Sequence, residues 1–223
     1  MTQPDQTELE ASAIQVDIVS DVVCPWCIVG FLQLQQGLAM AGMGARIRWH
    51  PFELNPGMPP EGQNIAEHVA EKYGSTAEQS QAARTRLTEM GAALGFTFAF
   101  TPESRIVNTF RAHQLLDWAA EYGLQHPLKM ALFNSYFTEG RDVSATGVLL
   151  DAVREAGLDP EKAAEVLESG DHAARVREKE EFWTENGISG VPTMVFDGRY
   201  LLTGAQEPAT YADVLRRCKA EAA

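Results

Sequence analysis

Residues 14–27 read Ile14-Gln15-Val16-Asp17-Ile18-Val19-Ser20-Asp21-Val22-Val23-Cys24-Pro25-Trp26-Cys27. The first seven alternate and are rich in β-branched residues, the pattern of a strand. Asp21-Val22-Val23 makes a short turn. From Pro25 the spacing becomes helical, with Ile28, Phe31, Leu32 and Leu38 on one face and an end near Gly42 or Gly44. Pro25 takes the first helical position, where its missing N–H leaves no bond unmade. The two cysteines therefore open a helix directly behind a strand. Free N–H groups and the positive dipole end at such a position favour an anion. Cys24 is expected there as an exposed nucleophile, its pKa depressed below about 8.5, the free-thiol value. Cys27, one turn further in, is expected to be less exposed and near enough to resolve a mixed disulfide at Cys24.

Working outward, Arg46-Ile47-Arg48-Trp49-His50 reads as a second strand closed by Pro51, so the start of the chain is β-α-β. Residues 53–62 are rich in Pro and Gly and read as a loop; residues 1–13 are polar and read as a frayed end. From about 63 to 187 nearly everything reads as helix, with apolar faces at Phe110/Leu115/Leu116/Trp118/Ala119, at Leu128/Ala131/Leu132/Tyr136 and at Val148/Leu149/Ala152/Val153. Leu158-Asp159-Pro160 starts a further helix. The Glu- and Arg-rich segment 171–186 reads as a partly solvated helix ended by Asn186-Gly187. Thr193–Phe196 and Tyr200–Thr203 flank Asp197-Gly198, the strongest short-range hairpin signal, and a last helix runs from Pro208 to Lys219. Strands at both ends and helices between predict an α/β sheet domain with a helical insertion. The expected division is 14–60 with 172–218 for the sheet domain and 61–171 for the all-helical insertion.

Composition narrows the function. The 223 residues carry 18 Lys and Arg against 31 Asp and Glu, a net charge of −13. Nucleic-acid backbones and anionic membranes reward the opposite sign, so neither is an expected partner. Three cysteines are too few for a disulfide-built secreted scaffold. Met1–Glu10 has no cationic start and no apolar run, so no secretory signal is read there, and no stretch approaches the length of a membrane span. Read as a full-length product, the chain is expected in a reducing compartment, the bacterial cytoplasm.

A lone C-x-x-C is also half of a zinc site, but there is no second C-x-x-C and no H-x(3–5)-H; Cys218 and His50 complete a four-ligand set only by coincidence of fold. No metal site is therefore assigned. Strand, C-x-x-C and helix in that order are the context of a redox motif. Tyr211, Val214, Leu215 and Cys218 share one apolar helix face, which reads Cys218 as a buried small hydrophobe. Gly190-Val191-Pro192-Thr193 precedes a strand. X-Pro bonds are cis only about 5–6% of the time, so the tetrapeptide alone says little.

CPWC behind a strand, together with GVPT before the closing hairpin, resembles the thioredoxin superfamily, and the helical insertion resembles its DsbA-like branch. Ser20–Cys27, Phe52-Glu53-Leu54-Asn55-Pro56, Asn108-Thr109-Phe110-Arg111-Ala112-His113 and Tyr136-Phe137-Thr138-Glu139-Gly140-Arg141-Asp142 resemble the FrnE-like cytoplasmic dithiol–disulfide isomerases. The likeness spans roughly residues 14–217. It implies a thioredoxin-like fold, Cys24 as nucleophile, Cys27 as resolving thiol, and Pro192 as a cis-proline facing them. Val191 is then the residue whose backbone pairs with an extended substrate. It implies thiol–disulfide exchange on protein or small thiol substrates, with no prosthetic group beyond a redox-active disulfide and with glutathione as a conceivable co-substrate. The related kappa-class glutathione transferases and 2-hydroxychromene-2-carboxylate isomerases offer the alternative of a glutathione-dependent isomerase or transferase; they typically carry Ser where Cys24 stands. A zinc-stabilised or partner-binding module without turnover is a second alternative.

Pro25 and Trp26 modulate the thiols in this reading. Trp26 supplies no cation and Asp21 is an anion, so a moderate exchanger is expected. Trp26 either contacts apolar substrates or packs on the insertion. His113 at helical spacing fits a structural histidine better than a catalyst. Asn108 has no assigned role, and a homodimer is compatible with the sequence.

Overall fold

The computed structural model describes residues 13–222; the frayed end read for residues 1–13 falls almost wholly outside that range. Strand β1 (Ile14–Ser20) buries Ile14, Val16 and Ile18 on alternate positions and is buried throughout its last three residues, as a central strand should be. It runs parallel to β2 (Ala45–Pro51), with Ile14 opposite Ala45 and Ser20 opposite Pro51. A parallel neighbour requires a crossover, which is helix α1 (Pro25–Ala41). On its other side β1 pairs antiparallel with β5 (Thr193–Phe196), and β5 with β6 (Tyr200–Thr203), giving the order β2-β1-β5-β6. Asp197 and Gly198 both have positive φ, 49° and 65°, as the tight hairpin demands. Helix α9 (Pro208–Ala222) lies along α1, and both join the sheet core through Ile28, Phe31, Leu34, Tyr211 and Leu215.

Between β2 and β5 lie α2 (Ile65–Tyr73), α3 (Ala77–Ala93), α4 (Phe110–Ala120), α5 (Gln125–Phe133), α6 (Thr146–Glu155), α7 (Pro160–Ser169) and α8 (Ala173–Glu185). The Asp159 side chain caps α7 ahead of Pro160, and Gly42 ends α1 in the left-handed region, as read from the sequence. Three features depart from the all-helical expectation. β3 (Gln63–Asn64) pairs with β4 (Arg105–Ile106), residues 96–104 form no helix, and α5 runs into a π-helix at Asn134–Thr138. Each depends on a partner far away in the chain: Ala99 N–H donates to Phe137 O, and Thr138 Oγ1 to Thr97 O.

Two apolar cores result. One is the sheet core, which reaches into the helical block through Leu87, Phe98, Phe133 and Phe137. The other is built on Leu115, Leu116, Leu128, Leu132, Leu149 and Val153, and takes Val22 and Val23 from the turn after β1. Burying those two valines contributes roughly 1.5–3 kcal/mol each. Val22 and Val23 thus belong to one core and Cys24 and Cys27 to the other, so the dithiol sits on the seam.

Candidate active site at the start of helix α1

Cys24 is the N-cap of α1, extended at φ −90° and ψ 111°, and Pro25 occupies the first turn. The cap has no side-chain hydrogen bond of its own, so the helix end offers its N–H groups to the thiol region. Cys27 N–H donates to Cys24 O at 3.1 Å. The two thiols are near enough to couple electrostatically, and Cys24 Sγ donates to Val191 O at 3.6 Å. The Val191–Pro192 peptide bond is cis. Gly30, one turn beyond Cys27, faces this segment: a Cβ there would lie 3.2 Å from Pro192 Cγ. The six residues read as a site, Cys24, Pro25, Trp26, Cys27, Val191 and Pro192, are therefore gathered in one place.

Two expectations need correction. Cys24 is not exposed: it retains 3% of its accessible surface, and Cys27 none. The helical block covers it. Cys24, Trp26 and Val191 line a cleft of about 320 Å³, whose opposite walls come from α2, α3 and the π-helix. Trp26, 39% exposed, stands at this cleft rather than packing into a core. Nor is the Cys24 thiol depressed. The neighbouring Cys27 thiol, burial and the Asp21 carboxylate together push it up. Burial pushes Cys27 up as well, but the Cys24 thiol, the Lys129 ammonium and Ser20 outweigh it, and its net direction is down. The pair titrates as a unit, with the first negative charge to form drawn inward toward Cys27.

Sequence reasoning overlooked the source of that inward pull. Lys129, on α5, is 1% exposed, with Nζ 3.5 Å from Ser20 O and over the rings of Trp49 and Phe133. Burial lowers its pKa to about 8 against the opposing charges of Cys27, Asp21 and Cys24. Asp21 is fully buried, accepts Leu54 N–H at 2.8 Å, and lies 3.4 Å from His113 Nε2. Burial raises the Asp21 carboxyl, but the His113 contacts outweigh it and hold the net pKa low. His113 is thus a structural partner of Asp21 beneath the site, and Asn108, one residue ahead of the Thr109 N-cap of α4, accepts Phe110 N–H at 3.0 Å. The sequence reads Asp21 as an anion beside the thiols and His113 as a structural histidine, and both, with Asn108, fall in the family-like stretches; Lys129 falls in none of them.

Other histidines have structural partners: His50 meets Asp17 at 2.8 Å, and His126 meets Trp49 Nε1 at 3.1 Å. Cys218 is buried in the sheet core on α9, where burial raises its thiol. Among the described residues no three His, Cys, Asp or Glu side chains are grouped to hold a metal ion, and no helix is long and apolar enough to cross a membrane.

The family model of the DSBA-like thioredoxin domain matches residues 15–216. The crystal structure of a probable DsbA oxidoreductase from Streptomyces coelicolor is similar with a TM-score of 0.86 and 32% identity, covering 93% of this chain and 91% of that one. The YwbO protein of Bacillus subtilis is 25% identical over 193 residues, 86% of this chain and 90% of its own length. The cytosolic disulfide reductase DsbM from Pseudomonas aeruginosa, solved with GSH, has the same fold at a TM-score of 0.59 and 18% identity, covering 93% of this chain and 98% of its own.

Proposed function

The chain belongs to the DSBA-like thioredoxin-domain family of thiol oxidoreductases, and from that premise we propose that it is a dithiol–disulfide oxidoreductase and isomerase working through Cys24 and Cys27. The observation that carries the reading is the thiol pair at the mouth of α1 with Cys24 Sγ against Val191 O. The Cys24 thiolate attacks a substrate disulfide, forms Cys24–S–S–substrate and releases one substrate thiolate. Cys27 then attacks Cys24 Sγ, releases the second substrate thiolate and leaves the Cys24–Cys27 disulfide, two electrons having passed to the substrate. The reverse sequence oxidises a dithiol. Attack by a released substrate thiol on a different sulfur isomerises. Val191 and Pro192 hold the substrate backbone beside the attacked sulfur, and Pro25 and Trp26 shape the approach.

The substrates in this proposal are protein or small-molecule disulfides and thiols. Glutathione is the thiol that restores the dithiol, a role in keeping with the GSH carried by DsbM. No metal or prosthetic group takes part. The net charge of −13 argues against nucleic-acid and anionic-membrane partners, and the reducing cytoplasm is the compartment that suits an exchanger of this kind. The helical block, residues 61–171, is proposed as an insertion in a thioredoxin-like unit made of 14–60 and 172–218.

Reduction of insulin disulfides in glutathione buffer tests the reading. Cys24→Ser should fall to the uncatalysed rate, and Cys27→Ala should accumulate mixed disulfides that a reductant releases. Turnover retained in Cys24→Ser would overturn it in favour of a glutathione-dependent isomerase or transferase.

A further inference from the structure

Cys24 is reached through the cleft, and the walls of the cleft define what can enter. Its surface is mostly apolar and aromatic: Trp26, Leu87, Phe100, Tyr136 and Phe137 face it from four separate segments. With a volume of about 320 Å³ it stands at the small end of ligand pockets. Cys24, 3% exposed, lies at one side of it. The chain carries 31 Asp and Glu, yet no carboxylate lines this cleft. Its one permanent cation is Arg84 of α3, half-buried. The Arg84 guanidinium donates to Ser80 Oγ at 2.8 Å and to Gln81 Oε1 at 2.9 Å, both neutral. Among the described residues it has no ion-pair partner; Arg46, Arg48, Arg86, Arg105, Arg111 and Arg217 have none either, and what sets Arg84 apart is its place on the wall of this cleft. An unpaired guanidinium in an apolar wall is matched by a carboxylate on an otherwise apolar guest.

We propose that the cleft is the binding site for low-molecular-weight disulfides and thiols that carry an aromatic or branched apolar group and one carboxylate, the carboxylate meeting Arg84 and the sulfur reaching Cys24. The inference rests on Cys24 being the nucleophile, and it narrows the substrate class of that site. Exchange with such a disulfide, RS–SR, makes Cys24–S–SR and RS⁻. Attack by Cys27 then frees the second RS⁻, so that the dithiol loses the two electrons the substrate gains.

The experiment reads protection of Cys24 in the reduced, full-length protein against iodoacetamide, with labelled cysteines identified by peptide mapping. 3-Phenylpropionate is the charged probe and 3-phenylpropanol its neutral counterpart. Protection is expressed against each variant's own unprotected rate. The acid should protect saturably, and the alcohol should need a roughly tenfold higher concentration, the scale of one charge-assisted hydrogen bond. Arg84→Gln should bring the acid down to the level of the alcohol. Val69→Trp, on the wall contributed by α2, should remove protection by both. Labelling of Cys24 that neither compound slows would overturn the inference and leave the nucleophile intact. Equal protection by acid and alcohol, or an unchanged preference for the acid in Arg84→Gln, would overturn the assigned role of Arg84. Labelling that falls on Cys27 ahead of Cys24 would instead overturn the underlying reading.

Discussion

Lys129 reaches the dithiol from the helical block, its Nζ lying 3.5 Å from Ser20 O, which precedes it in the chain by 109 residues. Its charge favours a thiolate on Cys27, opposing the burial that would keep that thiol protonated. Replacing it by the uncharged Met removes this support, so the first thiolate should form at higher pH. The ultraviolet thiolate absorbance of reduced Lys129→Met should begin its rise roughly one pH unit above the parent, about 1.4 kcal/mol of lost interaction. An unchanged profile would mean the ammonium does not bear on the thiols. The same electrostatics set the redox poise. A strong oxidant owes its potential to a stabilised nucleophilic thiolate, whereas Cys24 is pushed the other way by its neighbour Cys27, by burial and by Asp21. Equilibration with glutathione should therefore place the pair well below about −120 mV, the poise of a strongly oxidising member of the superfamily; a value there would contradict the account. The spacing of the cysteines behind a strand was legible in the sequence. Their burial and the buried cation were not, because both come from segments that only tertiary folding brings near.

Helix α1 meets α9 at Gly37, where a Cβ would lie 2.7 Å from Tyr211 Cβ and 2.9 Å from Pro208 O. Alanine would raise helix propensity by about 1 kcal/mol, but the obstruction includes backbone and a β-carbon, neither of which can swing aside. Overpacking of this kind destabilises by roughly 1–3 kcal/mol, so Gly37→Ala should melt several degrees below the parent. Gly147, in the first turn of α6, has nothing within 4 Å of a built Cβ, so Gly147→Ala should match or slightly exceed the parent. Equal melting of the two variants would show that α1 and α9 are not so closely apposed. Elements that carry their own start and stop signals were readable from sequence: Pro25 and Gly42 bracket α1, Asp159-Pro160 opens α7, and Asp197-Gly198 turns the hairpin. β3 and β4 were not, since two-residue strands have no periodicity and exist only through pairing across the chain. The π-helix is likewise fixed by its contacts with residues 97 and 99.

The thioredoxin-like sheet and the helical block are joined by more than the apolar seam. Asp117 on α4 accepts from His172 at 2.8 Å and from Arg175 and Lys179 on α8, the helix that leads to Val191 and Pro192. Arg177 of the same helix pairs with Glu53 in the loop after β2, next to the Leu54 N–H that holds Asp21. The Glu- and Arg-rich segment read as a partly solvated helix thus turns its cations inward to buried carboxylates, a detail charge counting could not supply. Burial raises the Asp117 carboxyl, but Lys179, His172 and Arg175 outweigh it and hold the folded-state pKa below the ordinary 3.8. A depressed carboxyl gives stability that is complete above the unfolded pKa and is lost as pH falls through the lower folded value. Asp117→Asn should therefore cost about 1–2 kcal/mol at neutral pH, a figure reduced because the cationic partners are nearly half exposed. The difference from the parent should narrow as denaturation is measured toward about pH 3 and below, where the parent carboxyl also loses its charge. A difference that stays constant across that range would assign the contribution of Asp117 to packing, and the cations of α8 would then add nothing to the hold of the helical block over the dithiol.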